Sequence, residues 1–209
     1  MNGIHHVHQQ QHYHQSYYHQ PIVNGPSAAL LAAAAASEKP SMLLQSVITL
    51  DAKTAEGDLI GAIAAPWIEI AKLIEADPSI IFQIGSRKWE ELIAGWYKAY
   101  GFDEVTLTQS SGDLGRDVIA VKHGVLSVRI IDQVKAYKPG HLVRANDVRA
   151  LLGVLGSDRA ATKGLVTTTS DFAPKIATDL LIAPYLPTRL ELVNGIEMVR
   201  RFGDVAKRV

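Results

Sequence analysis

Three polar residues, Asp117, Gln133 and Lys135, have the types and the spacing to form a reactive centre. Gln133 and Lys135 alternate along one strand-like segment, so their side chains share a face of that strand. Asp117 lies near the start of the preceding segment, which a turn at residues 123–124 joins to it as a hairpin. The pairing brings together two oxygen ligands for a hard cation and one ammonium group. The same Gln-x-Lys spacing also fits an ordinary solvated strand face, which remains the alternative at this point.

The segments around these residues alternate between helical and strand-like patterns. Apolar residues recur at helical spacing from Pro66 to Asp77, and again after Ser86, the expected N-cap, up to Gly101. The later elements are strands over residues 105–108, 117–121 and 125–137, a helix around 148–155, a strand over 163–168, a helix starting at 169–172, a strand over 190–193 and a C-terminal helix. This order predicts an α/β fold with a mixed central sheet flanked by helices.

The strand predicted over residues 125–137 has one apolar face and one largely polar face. We expect the apolar face to pack on the core and the polar face to present Gln133 and Lys135. Asp132 lies on the opposite face and is therefore left out of the site. Asp113, in the glycine-rich loop before Asp117, is expected to be a turn residue.

The N-terminal region differs in composition from the rest of the chain. Residues 1–26 are rich in His, Gln and Tyr and almost lack aliphatic side chains. Such a composition cannot bury enough apolar surface to offset the entropy of ordering, so we predict a disordered tail; a metal-binding histidine tract is the alternative. The expected organisation is a tail and linker over residues 1–45, an N-terminal helical lead-in over residues 46–84 and the main domain over residues 85–209.

Composition excludes several functional classes. The chain has 209 residues, enough for one sizeable core, with 21 basic and 21 acidic residues. The net charge of zero gives no overall attraction to a polyanion, so any nucleic-acid surface must be local. Cysteine is absent, which excludes a disulfide framework, a zinc ribbon and a thiol nucleophile. No segment has the roughly 18 consecutive apolar residues needed to span a bilayer, so we expect a cytoplasmic protein with no membrane partner.

A series of short motifs runs in order from residue 85 to about residue 202. The motifs are Trp89-Glu90-Glu91-Leu92, Tyr100-Gly101-Phe102, Thr106-Leu107-Thr108, Gly112-Asp113-Leu114-Gly115-Arg116-Asp117, Gln133-Val134-Lys135-Ala136-Tyr137, Val148-Arg149-Ala150-Leu151 and Lys163-Gly164-Leu165-Val166-Thr167-Thr168-Thr169 followed by Phe172. In order and spacing they resemble the catalytic domain of Mrr-like restriction endonucleases. The resemblance implies a restriction-endonuclease-like core of the PD-(D/E)xK nuclease superfamily.

The resemblance also implies which residues form the site. The family's metal-site residues correspond to Asp117, Gln133 and Lys135, and the acidic residue of its first helix corresponds to Glu90. Two positions depart from the general pattern: Leu114 stands in the usual Gly-Asp-Gly-Gly loop, and Gln133 replaces the acidic residue of the (D/E)xK pair, giving a QxK variant. At about 100° per residue Glu90 lies at the edge of the apolar face of its helix. An interaction with the helix dipole is the alternative role for Glu90.

The activity that the resemblance implies is hydrolysis of DNA phosphodiesters with Mg²⁺, for which Mn²⁺ is an expected substitute. The expected metal ligands are Asp117, the Gln133 amide oxygen and the Val134 carbonyl oxygen. Lys135 would orient the attacking water or neutralise charge in the transition state. These roles together describe a metal-dependent endodeoxyribonuclease.

The expected partner is DNA, in a restriction or defence role, and cutting both strands with one site per chain would be simplest for a homodimer. Basic residues that surround the site in sequence, and that suit a phosphate backbone, are Arg116, Lys122, Arg129, Lys138, Arg144 and Arg149. A catalytically weak or inactive DNA-binding protein with the nuclease fold is an alternative, because Gln133 carries no charge. A DNA repair or resolvase nuclease would share the chemistry but not the substrate.

Overall fold

The central feature of the fold is a seven-stranded mixed sheet. A computed structural model describes residue 43, residues 45–109 and residues 115–208. The strands are β1 (Ile48–Lys53), β2 (Asp58–Ile63), β3 (Glu104–Leu107), β4 (Val118–Lys122), β5 (Val128–Lys135), β6 (Lys163–Thr168) and β7 (Leu190–Val193). They lie side by side in chain order, antiparallel from β1 to β5, whereas β6 and β7 run parallel to β5.

Helices cover both faces of this sheet. On one face lie α1 (Ala65–Ala76), α2 (Ser86–Ala99) and α4 (Gly195–Ala206), and on the other lies α3 (Ala145–Ser157), which connects the parallel strands β5 and β6. Short 3₁₀ helices lie at Pro78–Phe82, Ile176–Thr178 and Ala183–Tyr185. In the described ranges no helix has the length and apolar character to cross a membrane. The α/β prediction of a mixed sheet flanked by helices is confirmed.

Aromatic side chains join the three helices of the first face. The Trp67 ring of α1 stacks on Phe202 of α4 with ring centroids 5.4 Å apart, and Trp89 of α2 meets Phe202 edge-on at 5.8 Å. Trp67 is fully buried, and its indole N–H donates to the Leu92 carbonyl at 2.9 Å. This hydrogen bond satisfies the indole N–H, so the ring is buried without an unpaired donor. The ring contacts then stabilise the packing of α1 and α4 on α2.

Gly95 of α2 marks a close approach between α1 and α2. A Cβ at this position would lie 2.5 Å from the Trp67 ring. We expect Gly95→Ala to lower the free energy of unfolding. Overpacking costs about 1–3 kcal/mol, and the better helix propensity of Ala offsets at most about 1 kcal/mol of that cost.

Gly153 of α3 provides a matched control for this prediction. A Cβ there would meet nothing within 4 Å. Gly153→Ala should therefore raise the free energy of unfolding by up to about 1 kcal/mol, through propensity alone. Urea unfolding of both variants measures whether each substitution lowers or raises the free energy of unfolding. Stabilisation by Gly95→Ala would show that Trp67 moves aside without loss.

The predicted helical lead-in over residues 46–84 is wrong for its first part. β1 and β2 form an antiparallel hairpin there, and β2 pairs with β3 in a register that includes Asp58↔Leu107. The hairpin therefore extends the central sheet before α1 begins. The β1 segment does carry a strand pattern, because Ile48, Leu50 and Ala52 alternate with polar residues, and the helical prediction overlooked it. Beyond Ile48 the side chains of this edge strand are exposed.

The predicted tail over residues 1–45 lies outside the described residues except at its end. Leu43 is buried in the core of the first face, and the Gln45 carbonyl accepts a hydrogen bond from Lys88 Nζ at 3.0 Å. The tail boundary predicted at residue 45 is therefore too late. The histidine tract and its alternative role in metal binding fall outside the described residues.

Two local predictions also differ from the structure. Residues 169–172 do not begin a helix; they form a bend that ends in a parallel bridge between Phe172 and Val143. Ser86 is the first residue of α2, and Gly85 occupies the N-cap position without a side-chain hydrogen bond.

Candidate active site

Asp117 lies directly before β4, where that strand meets β5. Its backbone N–H donates to the Asp132 carbonyl at 3.1 Å, and the β4–β5 register, continued by one residue, sets Asp117 opposite Gln133. The Val134 N–H donates to Asp117 Oδ2 at 2.6 Å. The Asp117 carboxylate is therefore held against the backbone of β5, beside the strand end that carries Gln133 and Lys135.

The main chain of Val134 also faces Asp117. The N–H and C=O of one residue in a strand point to the same neighbouring strand. Because the Val134 N–H bonds to the Asp117 carboxylate, the Val134 carbonyl points to that side as well. The predicted carbonyl ligand thus lies on the Asp117 side of β5.

Gln133 is buried, with 5% of its surface exposed, and is not part of a solvated strand face. Its Oε1 is buried and has no hydrogen-bond partner among the described residues. The amide packs on Gly115, where a Cβ would lie 2.6 Å from Gln133 Nε2. Gly115 also has a φ of +78°, a conformation that favours glycine, and a larger residue there would displace the Gln133 amide. An unsatisfied buried oxygen costs about 1–3 kcal/mol, which a ligand from outside the protein can offset.

The oxygen atoms gathered here suit a hard divalent cation. Mg²⁺ prefers oxygen ligands and keeps several waters, so few protein ligands are enough. Asp117 offers a carboxylate, and Gln133 offers a buried oxygen without a protein partner. No cluster of three or more His, Cys, Asp or Glu that could hold a metal ion is found among residues 45–109 and 115–208. The side-chain oxygen donors at this place are thus one carboxylate and the neutral oxygen of Gln133.

Lys135 is the last residue of β5 and lies on the same face as Gln133. Its side chain is half-buried. Its carbonyl accepts hydrogen bonds from Thr168 Oγ1 at 2.8 Å and from the Thr169 N–H at 3.2 Å. These bonds to the end of β6 fix the backbone from which the ammonium group extends.

Glu90 of α2 is linked to Asp117 through two other residues. Its side chain is 15% exposed, and Glu90 Oε2 accepts a hydrogen bond from Arg87 Nη1 at 2.7 Å. The same Nη1 donates to the Thr108 carbonyl at 2.8 Å. The Thr108 N–H in turn donates to the Asp117 carbonyl at 3.1 Å. The structure therefore brings Glu90 to the end of the sheet that carries Asp117, by way of Arg87.

Asp132 is buried on the opposite face of β5, as its place in the strand predicts. Its Oδ2 accepts hydrogen bonds from the Tyr97 hydroxyl at 2.9 Å and the Thr167 hydroxyl at 3.1 Å. Burial raises the pKa of the Asp132 carboxyl to about 7; the two hydrogen bonds oppose this rise, and the charge of Asp117 adds to it. Asp132 thus belongs to the core beneath α2 and not to the face that carries Gln133.

Three of the basic residues that surround the site in sequence are paired with carboxylates. The pairs are Lys122 with Asp103, Arg129 with Glu56 and Asp158, and Arg149 with Asp179. Lys138 and Arg144, which follow the end of β5, are exposed. Fewer residues than the sequence suggests are therefore available to bind a phosphate backbone near the site.

Three residues of this region, Arg87, Thr108 and Gly115, were given no role in the site from the sequence. Arg87 and Glu90 have the i, i+3 spacing typical of a helical ion pair, so Arg87 was detectable. Thr108 contributes through its backbone, and the contact between Gly115 and Gln133 joins distant parts of the chain. No local pattern reveals either of the last two.

The family of the chain follows from residues 82–202, which match the family model of the Mrr catalytic domain, described as restriction endonuclease. The match covers more than half of the chain. The matched domain is that of a DNA nuclease. The chain belongs to this Mrr-type restriction endonuclease family, and the resemblance found in its motifs is confirmed.

Two solved structures are similar to the chain at 17% sequence identity and a TM-score of 0.43. One is the MspJI restriction endonuclease in complex with a 27-mer oligonucleotide; the alignment covers 69% of this chain and 34% of that chain. The other is the DNA modification-dependent restriction endonuclease AspBHI, with 70% of this chain and 39% of that chain covered. The chain thus spans well under half the length of either structure. No curated protein sequence matches the chain.

Proposed function

We propose that this protein is a divalent-metal-dependent DNA endonuclease that hydrolyses phosphodiester bonds and acts in restriction or defence. The observation that carries the proposal is the buried Gln133 Oε1, which lacks a hydrogen-bond partner among the described residues and lies next to Asp117 in the strand register. In a domain of a nuclease family, an oxygen left for an external ligand beside a carboxylate favours a cation site. The proposed nuclease domain is residues 85–209.

Each site residue has a role that fits its position. Asp117 is the charged ligand for Mg²⁺ or Mn²⁺, with Gln133 Oε1 and the Val134 carbonyl as neutral ligands. A cation held there would supply an activated water and neutralise charge that develops on the phosphate. Lys135 orients the attacking water or places positive charge beside the phosphate. Glu90, linked to Asp117 through Arg87 and Thr108, adds negative charge to this end of the sheet.

A catalytically weak or inactive DNA-binding protein is the second candidate. It is favoured by the neutral Gln133 and by the lack of a three-residue metal cluster in the part of the chain that the structure describes. A repair or resolvase nuclease would use the same site on a different DNA substrate. For an active enzyme with one site per chain, we propose a homodimer for cutting both strands.

The Mg²⁺ dependence of plasmid cleavage by Gln133 variants tests the proposal. Gln133→Glu adds a negative charge in a partly desolvated site, so it should lower the half-saturating Mg²⁺ concentration on the order of ten-fold. Gln133→Leu removes the ligand oxygen and should raise that concentration by a similar factor. Melting temperatures of the three proteins in EDTA separate metal binding from folding. Superimposable metal titrations would remove Gln133 from the site and favour the binding-only candidate.

A further inference from the structure

We propose that Arg87 is a positioning residue that holds the Glu90 carboxylate towards Asp117, so that both carboxylates act on one cation. The inference rests on the proposed function. It adds a residue that neither the motifs nor the QxK pattern includes. Arg87 is the second residue of α2, one turn before Glu90.

The first contact of Arg87 fixes the rotamer of Glu90. Arg87 Nη1 donates to Glu90 Oε2 at 2.7 Å, and the Glu90 side chain is less exposed, at 15%, than that of Arg87, at 38%. Glu90 lies at the edge of the apolar face of α2, where a free carboxylate would rotate towards solvent to regain its hydration. The ion pair opposes that rotation.

The second contact of Arg87 ties this pair to the strand end. The same Nη1 donates to the Thr108 carbonyl at 2.8 Å. The Thr108 N–H donates to the Asp117 carbonyl at 3.1 Å. The Thr108 hydroxyl lies between the Arg116 and Asp117 carbonyls and is nearer to that of Arg116. The Asp117 carboxylate accepts from the Val134 N–H. A continuous series of hydrogen bonds therefore runs from Glu90 to β5.

The charge of Arg87 has a further effect. Two carboxylates that face one cation site repel each other whenever the cation is absent. The guanidinium lowers this repulsion and keeps Glu90 in place before the metal binds. At this exposure the ion pair adds little to the stability of α2, about 0–1 kcal/mol. The main effect expected of Arg87 is therefore on the position of Glu90 and not on the helix.

Lys88 provides a matched control on the same helix. Lys88 Nζ pairs with Glu91 at 2.6 Å, also at i, i+3 spacing, and also donates to a main-chain carbonyl, that of Gln45, at 3.0 Å. The two contacts of Lys88 are of the same kind as those of Arg87: one with a carboxylate and one with a main-chain carbonyl. They link α2 to the N-terminal segment and not to Asp117.

The test compares Arg87→Met with Lys88→Met in the full chain. We measure the Mg²⁺ dependence of plasmid cleavage and, without DNA, Mn²⁺ binding by calorimetry. Arg87→Met should raise the half-saturating Mg²⁺ concentration and the Mn²⁺ dissociation constant on the order of ten-fold. Arg87→Lys keeps a charged donor and should restore most of the loss. Lys88→Met should match the wild type in both measurements.

A double variant shows whether Arg87 acts through Glu90. If it does, Arg87→Met combined with Glu90→Gln should bind Mn²⁺ no more weakly than Glu90→Gln alone. Additive losses, or an Arg87→Met titration that coincides with that of Lys88→Met, would overturn the inference while leaving the proposed function intact. Absence of metal-dependent cleavage and of Mn²⁺ binding in the wild type would overturn both.

Discussion

Replacing Lys135 with Met should lower the rate of DNA cleavage by about 10²- to 10³-fold, which is the usual effect of removing one group that stabilises charge in a transition state. Lys135 is not an oxygen ligand, so the half-saturating Mg²⁺ concentration should stay near that of the wild type. Lys135→Arg should not restore the rate, because the planar guanidinium places its charge and donors differently from an ammonium group. Single-turnover cleavage at saturating Mg²⁺ measures the effect.

The control for this variant is Lys72→Met, which removes an exposed lysine of α1. It should cleave at the wild-type rate. Lys135→Met should also keep the wild-type melting temperature, because the half-buried side chain lies at the end of β5 and not in the core. Cleavage by Lys135→Met at the wild-type rate would remove this lysine from the chemistry.

Asp117→Asn should abolish both cleavage and Mn²⁺ binding. The variant removes the negative charge of the proposed main ligand but leaves an amide oxygen that can still accept the hydrogen bond from the Val134 N–H. The fold should therefore persist, while a hard cation loses its charged partner. DNA affinity in EDTA should stay the same or increase, since a negative charge near the phosphates is lost.

Calorimetry with Mn²⁺ and fluorescence anisotropy with a DNA duplex measure these two affinities for Asp117→Asn. The control is Asp51→Asn, which changes an exposed aspartate of β1. Wild-type Mn²⁺ affinity in Asp117→Asn would contradict the ligand assignment. Loss of DNA binding together with metal binding would show that the DNA interface itself needs the Asp117 carboxylate.

The elements that bury a full apolar face were predictable from the sequence. The spacing of Trp67, Ile70 and Ile74 predicted α1, and all three side chains are buried. β6 was predicted with the bounds that the structure has, and its residues after Lys163 are buried on both faces, as the prediction of a buried strand requires. The β1–β2 hairpin was missed although Ile48, Leu50 and Ala52 alternate with polar residues; of these three only Ile48 is buried, so the alternation does not mark a core face.

The candidate site was predictable in its residue types but not in its surroundings. Strand alternation correctly placed Gln133 and Lys135 on one face and Asp132 on the other. It also suggested an open polar face, whereas Gln133 is buried because Gly115 packs against its amide. That contact sets Gly115, two residues before Asp117, against a side chain of β5, and a local pattern does not encode such a pairing of distant segments.

The position of Glu90 shows the same limit. Helical periodicity places this residue at the edge of the apolar face, and its i, i+3 spacing from Arg87 is typical of a helical ion pair, which the structure shows. The second acceptor of Arg87 is the Thr108 carbonyl, 21 residues away in sequence. Every residue has a backbone carbonyl, so the sequence does not indicate which one accepts this hydrogen bond. The link from α2 to Asp117 is therefore seen only in the structure.

The most direct test of the metal-dependent nuclease site is cleavage of supercoiled plasmid by the wild-type protein, followed over time with Mg²⁺, with EDTA, and with Mg²⁺ restored in excess after EDTA. The proposed site predicts nicked and linear DNA in Mg²⁺, intact plasmid in EDTA and renewed cleavage when the metal returns. Equal cleavage in EDTA and in Mg²⁺, or no cleavage with either Mg²⁺ or Mn²⁺ while DNA is bound, would contradict it.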